Sequence, residues 1–458
     1  MRDFSLSDTI AAIATPPGEG ALAIVRLSGK DAISIADKVF QGKASLNDLP
    51  AGSARFGKIV DTEGSVIDEV IAVVMKNPHS YTGEDSVEIT CHGGYYSSSR
   101  ILQALLQIGA RQAERGEFTL RAFLNNRIDL TQAEAVTELV SSRGEMRHRI
   151  ALEQLSGKLH ERLRAIIEEL KQIVALVELG IDFAEEDIEI QSRHEVNDRI
   201  RKLLGELREL AKGYRIGKVI REGYQVAIAG KVNVGKSSLL NMLLDMERAI
   251  VTEIPGTTRD SITETITVNG LEIHLTDTAG MRDKTERVES IGIERAGEII
   301  ASSDLILLMF DPTAGFDEDD KRVVDAIGDT PKLTVLNKCD LLEEAGRERA
   351  VKRFPSKIDI TISAKTGENI EELKQSIYDS AIVDDEKVGT EVVITNRRHY
   401  QCALTAITEL ENAAECKEGS EFLADHLRAA LNKLGEITGE VTTEDILNSI
   451  FDEFCIGK

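Results

Sequence analysis

A chain of 458 residues with 55 basic and 79 acidic side chains has a formal net charge of −24. That excess argues against indiscriminate nucleic-acid binding, which needs surplus cations facing phosphate. Its 42% apolar content is ordinary for globular domains, and the length suits about three of them; no stretch approaches a membrane span, and the first residues lack a charged-then-apolar secretion pattern.

In chain order, residues 9–14, 21–27, 69–76 and 86–91 read as strands and residues 29–39 and 99–106 as helices. Turn signals at Pro16-Pro17-Gly18 and His92-Gly93-Gly94 separate them. Residues 1–118 are therefore expected to form a small α+β domain. His92 is read as lining a turn, since no Gly-x-Ser-x-Gly elbow supplies a hydrolase nucleophile. Gly18-Glu19-Gly20-Ala21-Leu22-Ala23 falls short of a dinucleotide fingerprint and runs into a strand, so a redox cofactor is expected on a partner.

From residue 119 the apolar period becomes helical. Leu152, Leu155, Leu159, Leu163, Ile166, Leu170 and Ile173 form one stripe, which predicts a long helix. The period returns later at Leu404, Ile407, Leu410, Leu423, Leu427, Leu431 and Leu434. Neither stretch has an obvious partner of its own. Residues 119–215 and 381–458 are read as one discontinuous helical domain, interrupted by an inserted domain at 216–380. Between Arg199 and Arg221, Arg201, Lys202, Arg208, Lys212, Arg215 and Lys218 make a basic run, read as a solvated helix face.

The inserted segment carries the chemistry. A strand, Tyr224-Gln225-Val226-Ala227-Ile228-Ala229, feeds Gly230-Lys231-Val232-Asn233-Val234-Gly235-Lys236-Ser237, and a helical pattern starts at Ser238. This is a phosphate loop in its strand–loop–helix context. The glycines let successive backbone N–H groups face phosphate at a helix N-terminus. Lys236 is expected to reach the β- and γ-phosphates and Ser237 to ligate Mg²⁺, with Val234 and Ser238 lining the loop. Asp277-Thr278-Ala279-Gly280 follows a second strand, at 271–276; Asp277 is expected near Mg²⁺ and the Gly280 N–H near the γ-phosphate.

Two further strands, 305–310 and 333–336, lead to Asn337-Lys338-Cys339-Asp340, and Ser363-Ala364-Lys365 comes after. The Asp340 carboxylate suits the guanine N1–H and exocyclic amine, a donor pair that adenine lacks. The Ala364 N–H is expected to meet the guanine O6, while Asn337 and Lys338 brace and cover the base. The four segments in this order predict an α/β P-loop GTPase domain. Met281 stands where Ras-type enzymes carry a water-orienting Gln. Another carboxylate and another cation must take over. Asn233 is a candidate cation ligand, backbone carbonyls of 252–260 could complete its site, and Thr258 is a candidate second Mg²⁺ hydroxyl.

The cysteines at 91, 339, 402, 416 and 455 show neither paired nor metal-ligand spacing, so they read as reduced thiols in a cytoplasm. Cys455-Ile456-Gly457-Lys458 fits a prenylation box poorly, and that reading is rejected.

The chain resembles the tRNA uridine-modifying GTPase family, MnmE or TrmE, from end to end. The resemblance rests on Asp8-Thr9-Ile10-Ala11-Ala12-Ile13-Ala14-Thr15-Pro16-Pro17-Gly18, Tyr81-Thr82-Gly83-Glu84-Asp85, Arg115-Gly116-Glu117-Phe118 and Ala122-Phe123-Leu124-Asn125. Pro255-Gly256-Thr257-Thr258-Arg259-Asp260 and Cys455-Ile456-Gly457-Lys458 add to it. It implies a folate-binding-like N-terminal domain that dimerises, a discontinuous helical domain and an inserted GTPase domain. It also implies a tetrahydrofolate site (5-formyl or 5,10-methylene) at Arg26, Glu88, Arg127 and Lys458. Potassium is implied at Asn233, Thr252, Ile254 and Thr257, and Glu289 is implied as the carboxylate that orients water.

Arg127 stands where some relatives carry Lys, which changes hydrogen-bond geometry. Cys455, a thiol beside a one-carbon unit, is a candidate nucleophile or a packing residue. The implied activity is potassium-activated GTP hydrolysis that, with a flavin-containing MnmG-type partner in a heterotetramer, modifies C5 of the wobble uridine of certain tRNAs. Rival readings are a ribosome-assembly switch, for which no KH-type Gly-x-x-Gly loop is evident, and a folate-sensing regulator.

Overall fold

The computed structural model describes residues 8–182, 193–248, 263–277, 297–355, 357–382, 392–417 and 419–458. They divide into two compact units, Met1–Val140 with Leu152–Leu204 and Cys402–Lys458, and Ser141–Ala151 with Gly205–Gln401.

In the first unit, strands β1 (Ile10–Ile13), β2 (Leu22–Ser28), β3 (Phe40–Gly42), β4 (Ser53–Val60), β5 (Val66–Met75), β6 (Ser86–His92) and β7 (Arg111–Gln112) form one sheet, ordered β3-β4-β5-β6-β2-β1-β7. Only the β1–β7 pairing is parallel. Alternation sets its faces. Ala23, Val25 and Leu27 of β2, with Val87, Ile89 and Cys91 of β6, join a core with Ile101 and Leu105 of the helix Tyr95–Ile108. The intervening positions put Arg26 directly across from Glu88. His92, read as lining a turn, is the last residue of β6, just before Gly93, and its Nδ1 lies 2.7 Å from Asp68 Oδ1.

The long helix predicted from the leucine stripe is two helices, Glu145–Leu155 and Lys158–Asp182. Gly157, with φ of 91°, takes a left-handed conformation that closes the first helix. The four-residue step from Leu155 to Leu159 survives that turn, which is why the stripe looked continuous. Leu152 is 46% exposed and so lies outside the buried stripe. Leu159, Leu163, Ile166, Leu170 and Ile173 are buried, and their helix packs on Ser420–Thr438, which buries Leu423, Leu427 and Leu434. Within the basic run, Arg199 pairs with Glu169, Lys212 with Glu209 and Lys218 with Glu222.

The second unit holds strands β8 (Tyr224–Ala229), β9 (Thr263–Val268), β10 (Leu271–Asp277), β11 (Leu305–Phe310), β12 (Lys332–Leu336) and β13 (Ile360–Thr361), ordered β13-β12-β11-β8-β10-β9. All pairings are parallel except β9–β10. Strand β11 is apolar at every position and β8 at all but Gln225, because both faces are covered. Val226 and Ile228 point into one core with Leu305, Leu307 and Met309, whereas Ala227 and Ala229 point into another with Ile306, Leu308 and Phe310. Strand order reverses on either side of β8, which places a crevice at its carboxyl end.

A charge network is buried in the first unit. The Arg121 guanidinium donates to the Asp8 carbonyl (2.9 Å), to Asp8 Oδ1 (2.6 Å) and to Glu117 Oε1 (3.0 Å). Arg111 holds the same two carboxylates. Burial raises the Glu117 carboxyl, but hydrogen bonds from Arg111, the Glu114 N–H and Arg121 outweigh it and leave it below the ordinary range. A carboxyl depressed on folding stabilises above its unfolded value, about 4.3 for Glu, and loses that contribution as pH falls through the folded value. Urea midpoints should therefore decline on acidification below about pH 4. Arg121→Met should destabilise by about 3 kcal/mol at neutral pH, because it takes one of the two guanidinium partners from the buried Glu117 carboxylate, and should flatten the acid decline.

Candidate functional site

The phosphate loop leaves β8 at its carboxyl end, and the helix Lys236–Arg248 follows it. Gly235 has φ of 100°, and a Cβ there would come within 2.3 Å of Asn337 Nδ2. Glycine is required on both counts. Lys236, almost fully buried, donates from Nζ to the Gly230 carbonyl (2.8 Å) and the Lys231 carbonyl (2.9 Å). Its ammonium is thus held across the mouth of the loop. Ser237 Oγ donates to Asp277 Oδ2 at 2.9 Å, so the two expected Mg²⁺ groups do converge. Among the described residues no group of three or more His, Cys, Asp or Glu is placed to hold a metal. One hydroxyl and one carboxylate fit Mg²⁺, which usually takes few protein ligands and completes its shell with water and phosphate.

Asn337, at the end of β12, is 2% exposed. Its Nδ2 donates to the Val234 carbonyl (2.8 Å) and its Oδ1 accepts from the Ala364 N–H (2.9 Å). One side chain thereby ties the phosphate loop to the Ser363-Ala364-Lys365 turn. The Ala364 N–H was expected to face the guanine O6; here it satisfies the buried Asn337 oxygen instead. Ser363 Oγ donates to Asp340 Oδ1 at 2.7 Å, which fixes one carboxylate oxygen beside the base-binding turn. Lys338 has φ of 61°, and its Nζ reaches Asp311 Oδ2 at 2.5 Å. Burial raises the Asp311 carboxyl, yet Lys338 and the Thr313 hydrogen bonds bring it below the usual carboxylate range. Ser238 and Lys365 are exposed at the rim, and Val234 is buried.

Two supports escaped the sequence reading. Asp311 follows β11 in an Asp-Pro-Thr turn whose composition could have flagged it. Lys231, inside the phosphate loop, pairs with Asp317 (2.8 Å) and with the fully buried Asp320 (2.7 Å), at the start of the helix Glu318–Ile327.

Asn233 is exposed with φ of 66°, so its amide oxygen is available for a cation. Thr252, Ile254, Thr257, Thr258, Thr278, Ala279, Gly280 and Glu289 lie outside the described residues.

On the first sheet, Arg26 Nε and a terminal guanidinium nitrogen lie 2.9 and 2.8 Å from Glu88 Oε1. The other terminal nitrogen is 3.4 Å from the Gly457 carbonyl. The Tyr81 and Phe118 rings flank the guanidinium, at 5.2 and 5.6 Å. Segment 455–458 is held by an Arg115–Ile456 bridge and by the Gly116 N–H on the Cys455 carbonyl. Burial and the neighbouring Arg26 charge lower the Lys458 ammonium, against the effect of Cys455. Arg26, Glu88, Lys458 and the exposed Cys455 are thus gathered in one place. Arg127 is exposed in the turn after Glu117–Leu124, its Cβ near Gly83. Cations, a carboxylate and aromatic faces together fit a flat heterocycle bearing carboxylates, although Arg26 and Glu88 already engage each other.

Two family models match: "GTP-binding protein TrmE N-terminus" over residues 9–127 and "MnmE helical domain" over residues 130–455. A relative from Acetivibrio thermocellus, "tRNA modification GTPase MnmE", is 41% identical over 455 residues, covering 98% of this chain and 99% of that protein. One of the same name from Geobacter sulfurreducens is 44% identical over 462 residues, covering 99% and 100%. The chain belongs to the MnmE family of tRNA modification GTPases. Among solved structures, Aquifex aeolicus Era bound to GDP·AlF4⁻ is 26% identical with a TM-score of 0.28, covering 42% of this chain and 67% of that one. That score adds nothing to the assignment to the MnmE family.

Asn337→Ala would leave a buried carbonyl and a buried N–H unpaired, each worth about 1–3 kcal/mol. The thermal midpoint should fall, and GDP affinity should drop by about tenfold or more. Asn337→Asp keeps only the acceptor and should not restore affinity in a fluorescent-nucleotide titration.

Proposed function

We propose that this chain is a potassium-activated GTPase that works with a flavin-containing partner to modify C5 of the wobble uridine of certain tRNAs. The observation that carries the nucleotide reading is the Asn337 bridge, which draws the phosphate loop and both guanine-binding turns into one crevice. Full-length similarity to proteins named as tRNA modification GTPases supports the tRNA substrate. Bound at Ser237 and Asp277, Mg²⁺ would neutralise phosphate charge; K⁺ at Asn233, with Thr252, Ile254 and Thr257, would supply charge in place of an arginine finger. Lys236 holds the β- and γ-phosphates, Asp340 reads the guanine edge, Thr258 adds a second hydroxyl for Mg²⁺, and Glu289 orients water.

A reduced folate at Arg26, Glu88, Arg127 and Lys458 would supply the carbon, with Cys455 beside it. The division of labour follows: residues 1–118 bind folate and dimerise, 119–215 and 381–458 form the helical domain, and 216–380 hydrolyse GTP. The MnmG-type partner completes a heterotetramer. Cysteines 91, 339, 402, 416 and 455 are all free thiols, in keeping with a cytoplasmic site of action. Among the described residues, no helix is long and apolar enough to cross a membrane.

Steady-state GTP hydrolysis should be markedly faster in potassium than in sodium at matched ionic strength, and Asn233→Ala should erase the difference. Equal rates in both salts would refute cation-assisted catalysis. Arg26→Ala should abolish tRNA modification while leaving GTP hydrolysis intact; persisting modification without folate binding would refute the folate role.

A further inference from the structure

Arg347 has no place in the motifs that read guanine, yet it touches both turns that do. It lies on the short helix Glu344–Val351. Its Nε donates to the Cys339 carbonyl (3.1 Å) and the Leu342 carbonyl (3.3 Å), which flank Asp340 on either side. Its two terminal nitrogens meet Glu368 Oε1 (2.5 Å) and Oε2 (3.2 Å). This is the bidentate fork that only arginine supplies.

Glu368 in turn closes the second turn. Its carbonyl accepts from the Ser363 N–H at 3.1 Å, while its carboxylate accepts from Cys339 Sγ at 3.4 Å. Burial pushes the Cys339 thiol up to about 11, with Glu368 adding to it, so the sulfur keeps its proton and acts as the donor. The two turns meet again where Ser363 Oγ binds Asp340.

The geometry points to Arg347 and Glu368 as a paired clamp that positions Asp340 for guanine recognition. They are positioning residues, since neither is placed to touch the base. The inference rests on the GTP reading of the site. It differs from a general stabilising role in one respect: loosening the clamp should weaken the bond from Asp340 to the exocyclic amine, so discrimination between bases should change. Hypoxanthine lacks that amine and should be affected less.

The experiment compares binding of fluorescent GDP and IDP to the full-length protein and to Arg347→Ala, Glu368→Gln and Arg347→Lys, with kcat and KM for GTP and thermal melts alongside. Wild type should prefer guanine. Arg347→Ala should weaken GDP by about fivefold, a figure scaled down for partly exposed charges, and IDP by less. KM should rise while kcat at saturation holds. Glu368→Gln should act in the same direction, and Arg347→Lys should rescue poorly. A GDP-to-IDP ratio unchanged in both Arg347→Ala and Glu368→Gln, or equal losses for both nucleotides, would overturn the clamp. Absence of guanine preference in the wild type would instead overturn the GTP reading.

Discussion

Everything in the nucleotide crevice depends on the two hydrogen bonds of one buried amide. Asn337 has a donor and an acceptor on one rigid plane, and it spends the first on the Val234 carbonyl and the second on the Ala364 N–H. A carboxylate can only accept, and a hydroxyl would have to donate and accept from a single atom, whereas the amide does so from two separate ones. The tight approach demands a residue without a Cβ at 235, since any larger residue would meet the Asn337 nitrogen. The phosphate loop, the β12 end and the last turn therefore hold one another in register. Around this bridge, Lys338 anchors on Asp311 and Lys231 on Asp317 and Asp320, so these two lysines are oriented by acids.

The motif residues were legible because their spacing is dictated by phosphate and base geometry, and the apolar runs of β8 and β11 because strands covered on both faces admit little else. What stayed hidden has a physical reason in each case. The Asn337–Val234 contact spans 103 residues, and nothing local records it. Arg347 lies in a polar helix with no period to mark it. Strand β4 was missed because Ser53, Arg55 and Lys58 dilute its apolar positions, and β9 because Thr263, Glu264 and Thr265 do the same. The break at Gly157 was visible as a glycine in a helical run, a residue costing about 1 kcal/mol there, but the leucine spacing across it masked the turn. At Ala364 the partner of the N–H, Asn337, came only from the structure.

The helix Glu117–Leu124 shows how charge can be both buried and ordered. Arg121 and Glu117 are both almost wholly enclosed, a cost tolerated only because nearly every polar atom there finds a partner. The same stretch, residues 115–118, supplies the Phe118 face against Arg26 and the backbone that holds segment 455–458. A structural network and a candidate ligand site thus share one short piece of chain.

The division of the chain also sets an order of events during synthesis. The second unit needs nothing beyond Gln401, whereas the first draws on residues as far apart as Arg26 and Gly457, separated by 431 positions. Domains fold as their sequence emerges, so the nested unit is complete while its host still lacks most of the helix Arg397–Glu415, the helices Ser420–Thr438 and Glu444–Phe451, and the segment at Arg26. Segment 455–458, which emerges after the nested unit, joins Arg26 on the early strand β2, and closing so long a loop makes that step a late one.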